Sequence, residues 1–257
     1  MKAPPETVRT PRPGARFHLE RTLGVGADIA LPPDAAHHAV RVLRLAENDP
    51  VSVFDGSGGE YLAVIVRIGR GEVVVRTTAF VDVERESPLA VALVQGVSSG
   101  ERMDYTIRKA VELGIAHIVP VFTERSVVKL TGDRADRRTA HWRALVVAAC
   151  EQCGRNRVPV VDSPLPFERW LGDLPAPHPG EARFTLSPAG AQRLAALPRP
   201  AGPITLLAGP EGGLAADEAA LAQLRGFDAV RLGPRVLRTE TAAVAALAAI
   251  QALWGDF

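Results

Sequence analysis

The spacing of hydrophobic residues along this chain changes once, at the charged segment 83–88 (VERESP), and that change restricts the folds that the chain can adopt. Before the segment, β-branched runs at Val51–Asp55, Glu60–Ile68 and Glu72–Phe80 are separated by glycine-containing turns, which is typical of strands. A single helix, Asp34–Leu45, fits the apolar spacing there. The pattern therefore predicts a small all-β domain with one helix, roughly barrel-like.

After the charged segment, strands and helices alternate, which is typical of a parallel sheet covered by helices. We expect strands at Leu89–Gln95, His117–Phe122, Val158–Val161, Arg183–Leu186, Pro203–Ala208 and Asp228–Leu232. We expect helices at Glu101–Leu113, Arg134–Cys153, Ala191–Ala196, Ala215–Arg225 and Thr239–Trp254. In such a sheet, ligands bind beyond the carboxyl ends of the strands. The predicted organisation is a flexible basic arm (1–15), a barrel (16–86) and an α/β domain (87–257).

Composition excludes several classes of protein. A formal net charge of +1 excludes binding to nucleic acid through bulk positive charge, and a 47% hydrophobic content excludes a disordered chain. Two cysteines cannot build a disulfide framework for 257 residues. The longest apolar run, Ala242–Ile250, is too short to cross a bilayer. We therefore expect a soluble, cytoplasmic protein that does not contact membranes.

The segment 96–100 (GVSSG) matches the nucleophile elbow G-x-S-x-G, between a predicted strand and a predicted helix. An α/β-hydrolase with Ser98 as nucleophile is therefore an alternative function. It requires a histidine after the nucleophile, and the last histidine is His178, in a proline-rich stretch. Short Gly/Ser turns between strand and helix are also common without catalysis, so this motif alone does not decide the function.

Two other groups of reactive side chains favour structural roles. Cys150 and Cys153 lie at the end of a predicted helix, whereas a redox C-x-x-C motif lies at the start of one. A structural zinc site needs four ligands, and only His141 is close enough in sequence to be a third. The adjacent His37 and His38 have no cysteine or carboxylate cluster beside them. We predict no metal site.

Two loops near the C-terminus favour a ligand site. The segment 209–213 (GPEGG) directly follows a predicted strand, and its three glycines allow close approach of the backbone to a ligand. Taken alone, this segment fits a plain tight turn between strand and helix equally well. The segment 232–242 (LGPRVLRTETA) joins the next strand to a helix and places Arg235, Arg238 and Glu240 around that helix N-terminus. Because both loops follow strands of one parallel sheet, they should open on the same edge.

With GPEGG first and LGPRVLRTETA second along the chain, the sequence resembles the uridine-N3 methyltransferases of the SPOUT class, which modify small-subunit ribosomal RNA. The likeness extends to the segments 16–18 (RFH), 38–44 (HAVRVLR), 102–104 (RMD), 109–114 (KAVELG) and 151–159 (EQCGRNRVP). Most of the chain is covered; the N-terminal arm and the proline-rich middle are not.

The resemblance implies a PUA-like β-barrel followed by a SPOUT-type domain with a C-terminal trefoil knot. It implies a homodimer that uses S-adenosyl-L-methionine to methylate N3 of one uridine in 16S rRNA, presented as naked RNA or as the assembled small ribosomal subunit. A non-catalytic rRNA-binding assembly factor remains a further alternative.

Carried over by motif, the resemblance also assigns residues to roles. The implied cofactor residues are Leu186, Gly209, Glu211, Gly212, Gly213, Leu232, Gly233, Val236 and Leu237. The implied residues at the methyl-transfer site are Asn156, Arg157, Arg238 and Glu240. The implied RNA-binding residues are Arg16, Arg41, Arg44 and Arg102. One departure is Ser99, where the family commonly has lysine, so an RNA contact made by that lysine is in doubt here.

Overall fold

The computed structural model describes residues 14–128 and 131–257, which form two units. The first unit takes the chain up to Arg85 together with the segment Gly154–Arg157, and the second takes Glu86–Cys153 and Val158–Phe257. The chain thus changes unit at Arg85, within the charged segment, and returns briefly to the first unit after residue 153. The basic arm predicted for residues 1–15 falls almost wholly outside the described residues.

In the first unit, the strands of the described residues form a five-stranded sheet in the order β1-β3-β4-β5-β2. The strands are β1 (Ala15–His18), β2 (Asp28–Ala30), β3 (Pro50–Phe54), β4 (Glu60–Ile68) and β5 (Val73–Val81). Strands β3, β4, β5 and β2 pair antiparallel, and β1 pairs with β3 in parallel. The three long strands agree with the sequence prediction to within about one residue, because their β-branched runs end at glycine-containing turns.

The helix of the first unit is shorter and less regular than predicted. Helix α1 (Pro33–His37) continues into a π-helical turn, His38–Val42. Arg44 then has a φ of 57°, so the helix cannot continue to Leu45 as the apolar spacing suggested. Ala36 and Ala39 are buried against the sheet, so the helix covers the core of this unit.

A buried polar cluster holds the segment Gly154–Arg157 within the first unit. Arg16 is 8% exposed, forms an ion pair with Glu60 and lies over the ring of Phe54. Its Nη2 also donates to Oδ1 of Asn156 at 2.7 Å and to the carbonyl of Arg155 at 3.2 Å. A buried guanidinium requires such partners because removing it from water is costly. Strand β1 is thereby tied to residues about 140 positions later in the chain.

In the second unit, the strands of the described residues form an eight-stranded sheet whose observed pairs are all parallel, as expected. The strands are β6 (Val91–Gly96), β7 (His117–Phe122), β8 (Val160–Val161), β9 (Leu165–Pro166), β10 (Ala182–Leu186), β11 (Gln192–Arg193), β12 (Ile204–Ala208) and β13 (Asp228–Arg231). Their order is β11-β13-β10-β12-β6-β7-β8, and β9 pairs with β7. This places β10 between β12 and β13.

The helices of the second unit are α2 (Gly100–Glu112), α3 (Asp133–Cys153), α4 (Phe167–Asp173), α5 (Ala216–Leu224) and α6 (Thr239–Trp254). Four match predicted helices. Helix α4 was missed because it lies in the proline-rich stretch, yet Phe167 and Leu171 are buried in a core cluster. The helix predicted at Ala191–Ala196 is wrong: this stretch is β11 and one 3₁₀ turn, since Gln192 and Arg193 pair with β13.

Two further points concern topology and the membrane. The C-terminal trefoil knot stays a prediction.

Across residues 14–128 and 131–257, every helix is too short or too polar to span a lipid bilayer.

We predict that Arg16→Met destabilises the protein by about 3 kcal/mol, because Glu60 and Asn156 lose a buried partner. Arg85, 3.6 Å from the same Glu60 oxygen, offsets only part of that loss. The change is measured by calorimetric unfolding, with hydrogen exchange of β3 and β4 reporting on the first unit.

The matched control is Arg67→Met, which removes an exposed ion pair with Glu72 in the same unit. That loss should stay below about 1 kcal/mol. Equal effects of the two substitutions would contradict a structural role for the buried cluster.

Candidate functional site

A cavity of about 380 Å³ lies at the carboxyl ends of three neighbouring parallel strands, β13, β10 and β12. Its walls come largely from the residues at or just after each strand end: Leu186–Pro188, Gly209–Leu214, and Leu232, Gly233 and Arg235–Leu237. The volume is in the range of small-molecule sites. The two glycine-containing loops therefore open on the same edge of the sheet, as the sequence predicted.

All nine residues that the sequence assigned to a cofactor line this one cavity. Most of the lining side chains are apolar. One of them, Val236, has 81% of its surface exposed. Charged lining residues are few: Glu211, Arg125 and Arg235. An apolar site with a few charged groups at its edge suits a ligand that has a flat apolar part and a polar end.

Glycine is required where the loop 209–213 folds on itself. A Cβ at Gly209 would lie 2.9 Å from the backbone carbon of Gly213, and one at Gly96 would lie 2.5 Å from Pro210. Gly213 itself has a φ of 67°. Larger residues would force the backbone apart, so these glycines set the shape of the cavity wall.

Buried hydrogen bonds hold this loop against β6 and α6. Gln95 is fully buried, and its Nε2 lies 3.2 Å from the Gly209 carbonyl and 3.1 Å from the Thr239 hydroxyl. The Thr239 hydroxyl donates to the same Gly209 carbonyl at 2.7 Å. The ends of two strands and the start of a helix therefore meet at one peptide group.

Glu211 points from the glycine loop to the start of α2. Its Oε1 accepts hydrogen bonds from the Ser99 N–H at 2.9 Å, the Ser99 hydroxyl at 2.8 Å and Arg102 Nη1 at 3.0 Å. Burial by itself would raise the pKa of Glu211, but the hydrogen bonds from Ser99 and Arg102 outweigh it and the pKa is lowered. The carboxylate thus adds stability above its unfolded pKa and loses it as the pH falls toward the folded value.

Glu240 lies on the other side of Arg102. Arg102 Nε is 4.0 Å from Glu240 Oε1, so one guanidinium lies between two carboxylates, of which Glu211 is the closer. The second oxygen of each carboxylate is buried without a hydrogen-bond partner within the described residues. Arg102, predicted to bind RNA, is therefore already engaged by two side chains of its own unit.

Arg125 is a lining residue that the sequence analysis missed. Its Nη1 donates to the Gly212 carbonyl at 3.0 Å. The preceding residue, Glu124, donates its N–H to Glu218 at the start of α5. Nothing local in the sequence marks this arginine, because it reaches the cavity from the end of β7, nearly ninety positions before the glycine loop.

Arg235 and Arg238 are both exposed, and only Arg235 lines the cavity. Arg238 stands at the N-cap position of α6, where its carbonyl accepts from the Ala242 N–H. Among the described residues, neither guanidinium has a hydrogen-bond or ion-pair partner. Both are thus available to a ligand or substrate.

The other residues assigned to catalysis lie in the first unit. Asn156 is fully buried, and both ends of its side chain are used, one by Arg16 and the other by the carbonyl of Val83 at 2.7 Å. Arg157 forms an ion pair with Glu84 at 2.9 Å and is 57% exposed. Only Arg157 of these two presents a side chain to solvent.

The residues assigned to RNA binding in the first unit differ in exposure. Arg41 and Arg44 are exposed, on either side of the exposed apolar residues Val42 and Leu43. Arg16 is buried and paired with Glu60, so its guanidinium is not available to RNA. The reason is not local, because the groups that enclose Arg16 are distant in sequence: Glu60 and Asn156 bond its guanidinium.

Ser98 does not have the surroundings of a hydrolytic nucleophile. It is 2% exposed, and its hydroxyl approaches the sulfur of Met103 at 4.0 Å rather than a histidine. In the described part of the chain, no cluster of His, Cys, Asp or Glu side chains could hold a metal ion.

Comparison with known proteins identifies both units. Residues 85–251 match the family described as RNA methyltransferase domain, and residues 31–78 match the RNA methyltransferase PUA domain. A protein of Mycobacterium bovis named ribosomal RNA small subunit methyltransferase E is 33% identical over 242 residues, covering 92% of this chain and 91% of its own. The chain belongs to the ribosomal RNA small subunit methyltransferase E family.

Solved structures of this family have the same fold. The methyltransferase E of Neisseria gonorrhoeae, bound to S-adenosyl methionine, is 40% identical with a TM-score of 0.87, over 95% of this chain and 99% of that one. A putative methyltransferase of Legionella pneumophila, in complex with the same cofactor, is 36% identical with a TM-score of 0.89, also over 95% and 99%. The SPOUT-type α/β domain preceded by a PUA-like domain is confirmed. The hydrolase interpretation of the GVSSG segment is wrong: its serine is buried, and the whole chain aligns with methyltransferases.

Proposed function

We propose that this protein transfers the methyl group of S-adenosyl-L-methionine to N3 of a specific uridine in 16S rRNA of the small ribosomal subunit. The observation that carries the proposal is the convergence of nine residues from three strand ends on one cavity. Relatives of this chain bear the name of a small-subunit rRNA methyltransferase, and two of the solved ones contain this cofactor.

The cavity fits that cofactor in size and in chemistry. The glycine loop supplies backbone that only glycine can bring this close, and the apolar residues Leu186, Leu232 and Leu237 offer surfaces for a nucleoside. Arg125 and Arg235 stand at its edge, where a carboxylate could be paired. The residues that we assign to cofactor binding are Leu186, Gly209, Glu211, Gly212, Gly213, Leu232, Gly233, Val236 and Leu237.

When bound, S-adenosylmethionine supplies a methyl group made electrophilic by its sulfonium sulfur. The residues of this chain must bring the uridine into line with it, since positioning is the main source of rate in such a displacement. N3 of uracil is paired in a duplex, so the target base must be unpaired or flipped out. N3 must also lose its proton, for which solvent water is the acceptor at hand, and this leaves negative charge on the two carbonyl oxygens beside N3.

We assign the stabilisation of that charge to Arg238, whose exposed guanidinium has no partner among the described residues. An alternative role for Glu240, the orientation of Arg238, is not favoured, because the cation beside Glu240 is Arg102. Asn156 fits a positioning role, since both ends of its buried side chain are already bonded. Arg157 is exposed enough to contact RNA or the reacting base.

For binding of RNA outside the reacting base, we propose Arg41 and Arg44 on the first unit. A net charge of +1 means that few phosphate contacts are available, so they position the substrate while the folded shape of the RNA specifies it. The basic arm at the N-terminus is a further candidate on charge alone.

The family resemblance also supports a homodimer, a trefoil knot and a cytoplasmic location, which we propose together. A C-terminal helix with exposed Leu253, followed by exposed Phe257, is consistent with an apolar contact between subunits. Cofactor and ribosomal substrate are both found in the cytoplasm.

The function is tested with labelled S-adenosylmethionine and small ribosomal subunits from a strain that lacks this gene. We expect one methyl group per subunit, mapped to N3 of a single uridine. Naked 16S rRNA in parallel distinguishes the two forms of substrate. RNA binding without methyl transfer and without heat of cofactor binding would instead indicate an assembly factor.

We predict that Gly209→Ala weakens binding of S-adenosylmethionine by about tenfold or more, because the new Cβ would meet the Gly213 backbone at 2.9 Å and shift the loop. Isothermal titration calorimetry measures the change. The control is Gly172→Ala on α4, where a Cβ meets no atom within 4 Å and the affinity should not change. Unaltered affinity in Gly209→Ala would remove this loop from the cofactor site.

Arg238→Ala should reduce kcat for the small subunit by about a hundredfold or more, while cofactor affinity stays within a few fold. The reason is that the guanidinium acts on charge that develops only in the transition state. Single-turnover methyl transfer and calorimetry together separate the two quantities. Full activity of this variant would exclude the proposed role.

A further inference from the structure

Arg102 lies where the glycine loop, the start of α2 and the start of α6 come together in the second unit. Its Nη1 contacts Glu211 of the loop at 3.0 Å, and its Nε is 4.0 Å from Glu240 in the first turn of α6. The two carboxylates belong to the segments that we assign to the cofactor and to methyl transfer, respectively. Arg102 itself is in the first turn of α2.

The two carboxylates depend on this guanidinium. The side chains of Glu211 and Glu240 are 21% and 17% exposed, and each has one buried oxygen without a partner in the described residues. Two partly buried carboxylates near one another repel unless a cation lies between them. In the part of the chain that the structure describes, Arg102 is the cation that pairs with both.

Ser99 completes the arrangement from the α2 side. Its N–H and its hydroxyl both donate to the same Glu211 oxygen that Arg102 contacts. Ser99 therefore fixes where Glu211 lies, but it brings no charge and does not reach Glu240. Thr239 joins α6 to the first residue of the loop through the Gly209 carbonyl, and Arg102 adds a second link, from Glu211 in the middle of the loop to Glu240.

We propose that Arg102 is a positioning residue of the methyl-transfer site. It fixes the position of the glycine loop relative to the first turn of α6 through its contacts with Glu211 and Glu240. This deepens the proposed function and rests on it. It differs from the role expected from the sequence, a phosphate contact to RNA, because the guanidinium and its two carboxylates together carry a net charge of −1, which repels a phosphate.

The two roles differ in what happens without RNA. Replacing a positioning residue changes the affinity of the free protein for the cofactor, whereas replacing a phosphate contact changes only the affinity for RNA. In the free protein, Arg102→Met should weaken S-adenosylmethionine binding by about tenfold, and it should also lower kcat at saturating cofactor. Arg102→Lys keeps a cation between the carboxylates but loses the two-nitrogen geometry, so it should restore part of both quantities and bind S-adenosylmethionine more tightly than Arg102→Met.

The experiment is calorimetric titration of S-adenosylmethionine into the wild-type protein and four variants: Arg102→Met, Arg102→Lys, Glu211→Gln and Arg102→Met combined with Glu211→Gln. Since Arg102 acts on the loop through Glu211, the double variant should bind the cofactor about as weakly as Arg102→Met alone. The matched control is Arg108→Met, an exposed arginine on the same helix, which should bind like the wild type. Thermal unfolding of each variant shows that it is folded.

Three results would overturn the proposal. They are unchanged cofactor affinity in Arg102→Met, additive losses in the double variant, and failure of Arg102→Lys to rescue a folded protein. If Arg102→Met instead only raised KM for the small subunit and made RNA binding less dependent on salt, Arg102 would be the phosphate contact. Absence of cofactor binding in the wild type would be a failure of the proposed function, and is seen first in the same titration.

Discussion

The carbonyl of Gly209 is the point on which the candidate site depends. Gln95 and Thr239 both donate to it, so the ends of β6 and β12 and the start of α6 meet inside the protein at a single acceptor. The donors to this partly buried carbonyl come from residues 114 and 30 positions away. The first residue of the glycine loop is therefore held to β6 and α6, and a ligand meets this part of the cavity wall already formed.

Local pattern was enough to predict most of the fold. The alternation after the charged segment predicted a parallel sheet, and α6 was predicted with the observed bounds, Thr239–Trp254, because its apolar run has clear ends. Prediction failed where tertiary contacts outweigh local preference. Helix α4 is stabilised by burial of Phe167 and Leu171, and Gln192–Arg193 is a strand because β13 lies beside it.

The residues of the candidate site also divide into those that local sequence predicted and those that depend on tertiary contacts. Its strand-end loops could be found from glycine content and from position after predicted strands, and the nine expected residues do share a cavity. Gln95 and Arg125 could not be found, and the contact of Ser99 with Glu211 could not be inferred, because these interactions join residues that are distant in sequence. Arg16 shows the opposite error: an arginine near a basic terminus reads as a surface contact, but Glu60 and Phe54 make it an interior residue.

The return of Gly154–Arg157 to the first unit has a consequence for synthesis on the ribosome. Chains emerge from the N-terminus, and domains usually fold as soon as they are complete. Here Arg16 lacks its amide partner until Asn156 has left the ribosome, after β6, α2, β7 and α3. The N-terminal unit must therefore wait, incompletely closed, for more than half of the chain, and expressing residues 1–85 alone would yield an interior with an unfilled place for four residues.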